Sequence, residues 1–321
     1  MKECLDSILK QNIPENIFEI VCVDDGSKDS SANILSAYAE KYSNIRVFHK
    51  ENGGVSSARN LGVMKALGKW IWFVDADDYI ADQCVATLLT CVEKNEVDFC
   101  VFSGKAVTSY QPQSFSIENS RTIFVEGQKE VLGISPKRAY ANGPVYYFFK
   151  KEIIVSNGIF FDETMKYGED TKFVFEYKFC CRKAVLVDEI VYFYRQNPQS
   201  AMGNLNAVAH AKCMWKLAEL YNEYINRTED KELKQRFEVA RCRSVRAMLF
   251  DNCIYIRDYN EAKRAFANAK EKGWIPFDVK LGVYSKSFKG ILINLFNELL
   301  EIRWIYLLLC RIFAKKRKNK S

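Results

Sequence analysis

Short apolar runs alternate with stretches of helical periodicity along the first hundred residues. Phe18-Glu19-Ile20-Val21-Cys22-Val23 has the length and β-branched content of a buried strand. Asp29 to Tyr42 carries apolar positions at helical spacing, and Ile45-Arg46-Val47-Phe48 reads as a short strand. Val55 to Leu67 reads as a helix closed by Gly68. Trp70 to Val74 is the next strand, Asp82 to Lys94 the next helix, and Asp98 to Phe102 a further strand. This β-α-β-α order predicts an α/β fold, Rossmann-like, with an open and mostly parallel sheet flanked by helices. Ligands of such sheets bind beyond the carboxyl ends of the strands. Asp24-Asp25 and Asp75-Ala76-Asp77 both stand at such ends.

The second half has a different pattern. Residues 104–140 mix Ser, Gln and charge, the composition of loops with a short helix. Tyr146 to Ile154 is aromatic and apolar, Gly168-Glu169-Asp170 opens a helix running to Cys181, and Val185 to Tyr194 is a strand. Helical periodicity then holds from Ala207 to Lys272, including an amphipathic stretch from Lys231 to Cys253. The division expected is a first domain over residues 1–205 and a helical C-terminal extension over 206–321. Phe288 to Phe313 is rich in Leu and Ile but interrupted by charge, and its longest apolar run is Trp304 to Cys310. A membrane span needs about 20 apolar residues, so this segment does not predict one. With its Trp, Tyr and following basic cluster, it fits an amphipathic helix docking on an anionic membrane surface. A helix packed on its own domain with a solvated charged end is the alternative.

Composition narrows the classes. A chain of 321 residues with 48% hydrophobic and 14% aromatic content supports a large packed core. The net charge of +7 is concentrated at the end: Arg311, Lys315, Lys316, Arg317, Lys318 and Lys320 fall in the last eleven residues with no acid among them. Without those six the balance is +1, which excludes a nucleic-acid groove. The 11 cysteines form no CxxC pair, and no secretory signal precedes them, so a reducing cytoplasm is expected. With His49 and His210 the only histidines, a histidine-based zinc site is not expected, and no local signature supports a histidine triad.

Trp70 to Val74 ends in three carboxylates within four positions, Asp75, Asp77 and Asp78. Like charges gathered at a buried strand end need a counter-charge. Clustered carboxylate oxygens suit a hard divalent cation, Mg²⁺ or Mn²⁺. The same residues also read as a solvated loop in which Asp77 or Asp78 caps a helix near Ile80.

Four segments in order carry a resemblance: Val23-Asp24-Asp25-Gly26-Ser27-Lys28-Asp29, Asn52-Gly53-Gly54-Val55-Ser56-Ser57-Ala58-Arg59-Asn60, Phe73-Val74-Asp75-Ala76-Asp77-Asp78 and Gly168-Glu169-Asp170. Together they resemble glycosyltransferase family 2, inverting enzymes of the GT-A fold, most like bacterial members that build capsule, exopolysaccharide or O-antigen. The match covers residues 2 to about 200, and its motifs are specific in combination. The resemblance implies a nucleotide diphosphate sugar donor, UDP-linked most often, and a glycan or lipid-linked acceptor. It also implies a cytoplasmic enzyme, peripheral on the inner face of the bacterial plasma membrane, acting in surface polysaccharide biosynthesis.

The resemblance also implies roles. Asp24 or Asp25 contacts the nucleoside; capping of the following helix is the competing use. Gly53 and Gly54 allow close backbone approach to an anion at a helix start. Arg59 pairs with the acidic rim or a phosphate. Asp75-Ala76-Asp77 matches the family's DXD motif, with Asp77 the metal ligand and Asp75 on ribose or a ligand water. Asp170 is the base that takes the acceptor proton, and Glu169 orients the helix start or the acceptor; simple complementarity to the helix dipole is the alternative for this pair. Arg195, in Tyr192-Phe193-Tyr194-Arg195 before Asn197 and Ser200, reaches toward the diphosphate; Gln196 and Asn197 stand where the family often has a His.

The chain departs from the family at its start. Members open with an apolar strand before the helix matching Glu3 to Gln11, whereas Met1 to Leu5 already reads as helix here. That strand is central in the fold, so its absence is expected to leave two sheet edges and a weakened nucleotide pocket. The rival functions are therefore a catalytically inactive remnant or a sugar-nucleotide binding module, and more remotely a metal-dependent phosphohydrolase.

Overall fold

The structure is a computed structural model that describes residues 1–11, 13–111, 113, 115, 121–136, 143–196, 206–275 and 302–318. The chain divides into two compact units: residues 1–164 with 169–200, and residues 165–168 with 201–321.

The first unit opens with helix α1 (Lys2–Leu9), strand β1 (Ile20–Asp24), α2 (Ser31–Lys41), β2 (Ile45–His49) and α3 (Val55–Lys65). It continues with β3 (Trp70–Trp72), β4 (Tyr79–Ile80), α4 (Cys84–Lys94), β5 (Phe99–Val107), β6 (Thr122–Glu126) and α5 (Gln128–Gly133). A 3₁₀ turn (Pro144–Tyr146) leads into β7 (Tyr147–Lys150), then α6 (Lys151–Ser156), α7 (Glu169–Phe179) and β8 (Lys183–Arg195). β1 and β2 pair in parallel as a two-stranded sheet. The larger sheet has the order β3-β7-β5-β8-β4, with β6 also on β8. Among the described strands β1 pairs only with β2, and β3 only with β7.

The parallel pairing expected from the sequence holds for β1–β2 and β5–β8; the other pairs are antiparallel, so the larger sheet is mixed. The reason is β8. This strand of 13 residues is long enough to take β4 and β6 antiparallel at different points while β5 runs parallel beside it. Mixed sheets of this kind are common when an α/β core acquires antiparallel strands. β6 falls in the stretch expected to be loop. Its alternating pattern, half-buried and exposed, gives little apolar signal.

The main core forms around β5, whose Phe99, Cys100, Val101 and Phe102 are fully buried as a continuous apolar run. Phe73, Phe149, Phe161 and Phe173 interlock beside it, with Phe161 stacked on Phe173 at 4.0 Å between ring centroids. Gly104 lets two chains approach closely: a Cβ there would lie 2.2 Å from Tyr146 Cε1. A smaller cluster, Leu5, Ile20, Leu35 and Ile45, lies under β1–β2, and Ile8 of α1 packs on both clusters.

The second unit holds α8 (Ala207–Arg227), α9 (Lys231–Asp251), a π-helical continuation (Asn252–Ile256), α10 (Tyr259–Glu271) and α11 (Arg303–Lys318). Asn206, Asp230 and Asp258 cap α8, α9 and α10 by accepting backbone N–H bonds. Ala218, Val245, Leu249, Phe266 and Tyr306 are among its core residues. No helix among the described residues is long and apolar enough to cross a membrane. All eleven cysteines are free thiols.

Candidate active site

β1, β3 and β8 end in Asp24, just before Asp75 and in Arg195 respectively, and α3 and α7 begin with Gly54 as N-cap and with Glu169-Asp170. The candidate residues form three linked groups.

The first lies at the end of β1. Asp24 is buried and turned inward: Oδ1 accepts from the Ser27 N–H at 2.9 Å, and Oδ2 lies 2.9 Å from His49 Nδ1. Ser27 first, and then His49, hold its carboxyl below the usual range. Asp25 accepts from the N–H groups of Gly53 at 2.9 Å and Gly54 at 2.7 Å, and from Lys50 Nζ at 2.6 Å. The anion met by the Gly53-Gly54 turn is thus the chain's own carboxylate. Burial opposes ionisation of Asp25, but Lys50 and the two N–H groups outweigh it and lower its pKa. Gly54 adopts φ +87°, a conformation that only glycine takes without strain, and so sets both N–H groups toward Asp25. Neither Asp24 nor Asp25 caps α2: its N-cap is Ser30, which makes no side-chain cap bond, and Asp29 just before it accepts from the Ser31 N–H.

The second group is built on Arg59, one turn into α3. Its Nη1 donates to Asp170 Oδ1 at 2.6 Å and its Nη2 to Asp75 Oδ1 at 2.9 Å. The guanidinium lies 5.3 Å from the Phe161 ring centroid. Asn60, the next residue, fixes that ring: its amide donates to the Phe161 carbonyl and accepts the Phe161 N–H. Burial raises the pKa of both Glu169 and Asp170, while the Arg59 charge opposes it. Asp170 is thus a carboxylate with raised proton affinity, held by a cation on one oxygen.

The third group is the acidic turn. The Asp78 N–H donates to the Asp75 carbonyl at 3.0 Å, closing a turn with Ala76 and Asp77 at its corners. A helix N-cap at this position is excluded, because Tyr79-Ile80 is strand β4. Asp77 is exposed, and its carboxylate makes no hydrogen bond or ion pair among the described residues. Asp78 is buried; burial pushes its pKa up to about 7 against hydrogen bonds from Tyr192 and Arg195. Arg195 anchors its N–H on Asp78 Oδ1 at 2.8 Å and its guanidinium on Glu3 at 2.6 Å. Asn197 and Ser200 lie outside the described residues. Among the described residues, no group of three or more His, Cys, Asp or Glu is placed to hold a metal unaided. The free, exposed oxygens of Asp77 fit a hard cation whose other positions are filled by a ligand's oxygens and water.

The sequence did not point to Lys50, His49, Asn60, Glu3 or Tyr192 for roles at this rim, and it offered Asp78 only as one of the clustered carboxylates or as a helix cap. Asn60 and Asp78 stand inside the motifs, so adjacency was the available signal. Glu3, His49 and Tyr192 reach the rim only through tertiary contacts.

A mixed sheet flanked by helices, with acidic strand ends and a helix-borne carboxylate, is an arrangement of the GT-A type. Residues 1–145 match the sequence profile described as glycosyl transferase family 2. The uncharacterized glycosyltransferase EpsJ of Bacillus subtilis is 33% identical over 205 residues, 62% of this chain and 58% of its own length. A poly(ribitol-phosphate) beta-glucosyltransferase of Bacillus spizizenii is 30% identical over 197 residues, 60% of this chain and 30% of its own length. The chain thus spans less than two thirds of either relative. Staphylococcus aureus TarS 1–349, solved in complex with UDP-GlcNAc, has a similar fold: the TM-score is 0.59 at 17% identity, covering 100% of this chain and 88% of that one.

Proposed function

We propose that this chain transfers a sugar, with inversion, from a nucleotide diphosphate sugar to a hydroxyl of a glycan or lipid-linked acceptor in bacterial surface polysaccharide assembly. The observation that carries the reading is Arg59 holding Asp75 and Asp170 at once, which sets the donor-side turn and a proton-accepting carboxylate on one rim. The relatives' printed activities, glycosyl transfer to poly(ribitol-phosphate) among them, support it.

In this reading Asp25, set by the Gly53 and Gly54 N–H groups, contacts the nucleoside, and the buried Asp24 braces the strand end through Ser27 and His49. Arg195 exchanges Glu3 for the diphosphate. Asp170 accepts the proton of the attacking hydroxyl, and Glu169 orients the start of α7. Asp77 holds Mn²⁺ or Mg²⁺, with Asp75 on ribose or a ligand water. When bound, that ion supplies positive charge against the diphosphate leaving group. UDP is the donor nucleotide favoured by the TarS complex. The catalytic domain is residues 1–205, and residues 206–321 form the helical extension.

We assign the chain to the cytoplasmic face of the plasma membrane as a peripheral protein. On α11, Leu308 and Ile312 are exposed beside the exposed Arg311, while Tyr306 and Cys310 are buried. That arrangement suits docking on an anionic bilayer. A second reading, sugar-nucleotide binding without transfer, is favoured by the separation of β1–β2 from the larger sheet.

Calorimetry with UDP, with and without Mn²⁺, on the wild type and Asp77→Ala tests the donor site. Metal-stimulated binding lost in the variant is expected. Binding by a folded wild type that neither metal nor Asp77→Ala changes overturns the metal assignment. Binding without sugar release or transfer to any acceptor fraction favours the second reading.

A further inference from the structure

The acidic turn is clamped at both ends by one buried hydroxyl. Tyr192 is fully buried, and its Oη accepts the Asp75 N–H at 3.1 Å while donating to Asp78 Oδ2 at 2.6 Å. The other Asp78 oxygen accepts the Arg195 N–H at 2.8 Å. A continuous run of hydrogen bonds therefore joins Asp170, Arg59, Asp75, Tyr192, Asp78 and the backbone of Arg195.

The geometry is more than packing requires. Phe193, the neighbour of Tyr192 in β8, is equally buried and stacks on Tyr79 with no polar atom. A phenylalanine would also fill the Tyr192 position beside Tyr146, whose ring lies 5.6 Å away edge to face. The hydroxyl adds a fixed point between strand and turn. A buried carboxylate is costly without donors, and Asp78 has two aimed at it. What this arrangement fixes is the path of Asp75-Ala76-Asp77-Asp78, and with it the direction of the exposed Asp77.

We propose that Tyr192, acting through Asp78, is a positioning residue that holds the acidic turn in the shape that binds the donor and couples it to the backbone of Arg195. Neither side chain touches substrate in this scheme. The proposal rests on the sugar-transfer reading above for its catalytic consequence, but not for its structural one.

Two variants separate the parts. Tyr192→Phe removes the hydroxyl and keeps the ring; Asp78→Asn keeps an acceptor for one donor and removes the charge. Hydrogen exchange of the peptide spanning residues 73–80 reads the turn directly, without substrate. Exchange is expected to rise by about tenfold or more in Tyr192→Phe, the scale of one lost hydrogen bond to a charged group. In the same variant the Mn²⁺ enhancement of UDP affinity is expected to shrink by about tenfold, and the donor KM to rise while the acceptor KM holds. A merely structural tyrosine would lower folded fraction without changing the ratio of affinities with and without Mn²⁺. Unchanged exchange over 73–80 in both variants overturns the proposal, as does faster exchange with an unaltered Mn²⁺ enhancement. If exchange rises in the variants but wild-type protein binds no UDP, the clamp stands and the sugar-transfer reading falls.

Discussion

Arg59 and Asp170 are separated by 111 positions in the chain, yet Nη1 of the one donates to Oδ1 of the other at 2.6 Å. Because the second arm of the same guanidinium holds Asp75, one arginine touches both carboxylates. It is mostly buried, with its side chain 11% exposed, so its loss would leave two acids without their cation. Truncating one partner of a fully buried pair costs about 3–5 kcal/mol, and with Asp75 39% and Asp170 32% exposed, solvent screening brings this to about 1–3 kcal/mol. Arg59→Met is expected to lower the unfolding free energy on that scale and to abolish transfer. Arg59→Lys, which cannot span both acids, should recover stability in part but little activity. Chemical denaturation with parallel transfer assays checks both.

Asp170→Asn should lower kcat by about 10²–10⁴-fold while UDP affinity holds, the pattern of a lost general base. Burial raises the Asp170 pKa, and the group works when deprotonated, so kcat should rise with pH through a limb above the ordinary carboxylate range. In Arg59→Lys, with the opposing cation less well placed, that limb should move to higher pH. A pH series of kcat on the two proteins measures this.

The pH dependence of stability has a separate origin in Asp78. Its pKa in the folded chain is raised from 3.8 to about 7. The folded state therefore holds the proton more tightly than the unfolded one. The resulting stability is present in full below pH 3.8 and is lost as pH rises toward about 7. Melting curves taken across that window should show wild type losing stability relative to Asp78→Asn, which cannot ionise. Parallel curves would rule this out.

Asn60→Ala removes the amide that pairs with both backbone groups of Phe161. Both partners are buried, and each unsatisfied group costs about 1–3 kcal/mol. A loss of about 2–4 kcal/mol in unfolding free energy is expected on that basis. The Phe161 ring lies under Arg59, so activity should fall further than the folded fraction does.

Glu3 holds the Arg195 guanidinium on a partly exposed ion pair. Freeing the arginine by Glu3→Gln should lower the donor KM by about two- to fivefold, the worth of such a pair. A raised KM would mean that Glu3 guides Arg195 instead of competing for it.

Much of this was legible in the chain. Apolar runs of strand length ending at Asp24 and near Asp75 were readable from the pattern alone, because hydrophobic period is a property of neighbouring residues, whereas Glu169-Asp170 and Arg195 were singled out only through the family resemblance. β6 escaped because an edge strand on β8 buries too little to show a period. The mixed pairing escaped because strand direction depends on where long connections return.

What the sequence by itself determined is therefore the element order, the acidic strand ends and the family motifs, all encoded within a few residues of one another. Only the tertiary structure decided which charges meet. It turned the Gly53-Gly54 donors onto Asp25, spent Arg59 on two carboxylates from distant segments, left Asp77 free, and set the Tyr192 hydroxyl between Asp75 and Asp78. The physical reason is that a hydrogen bond depends on position to within a fraction of an ångström, and that precision is reached only when the packed core fixes both ends.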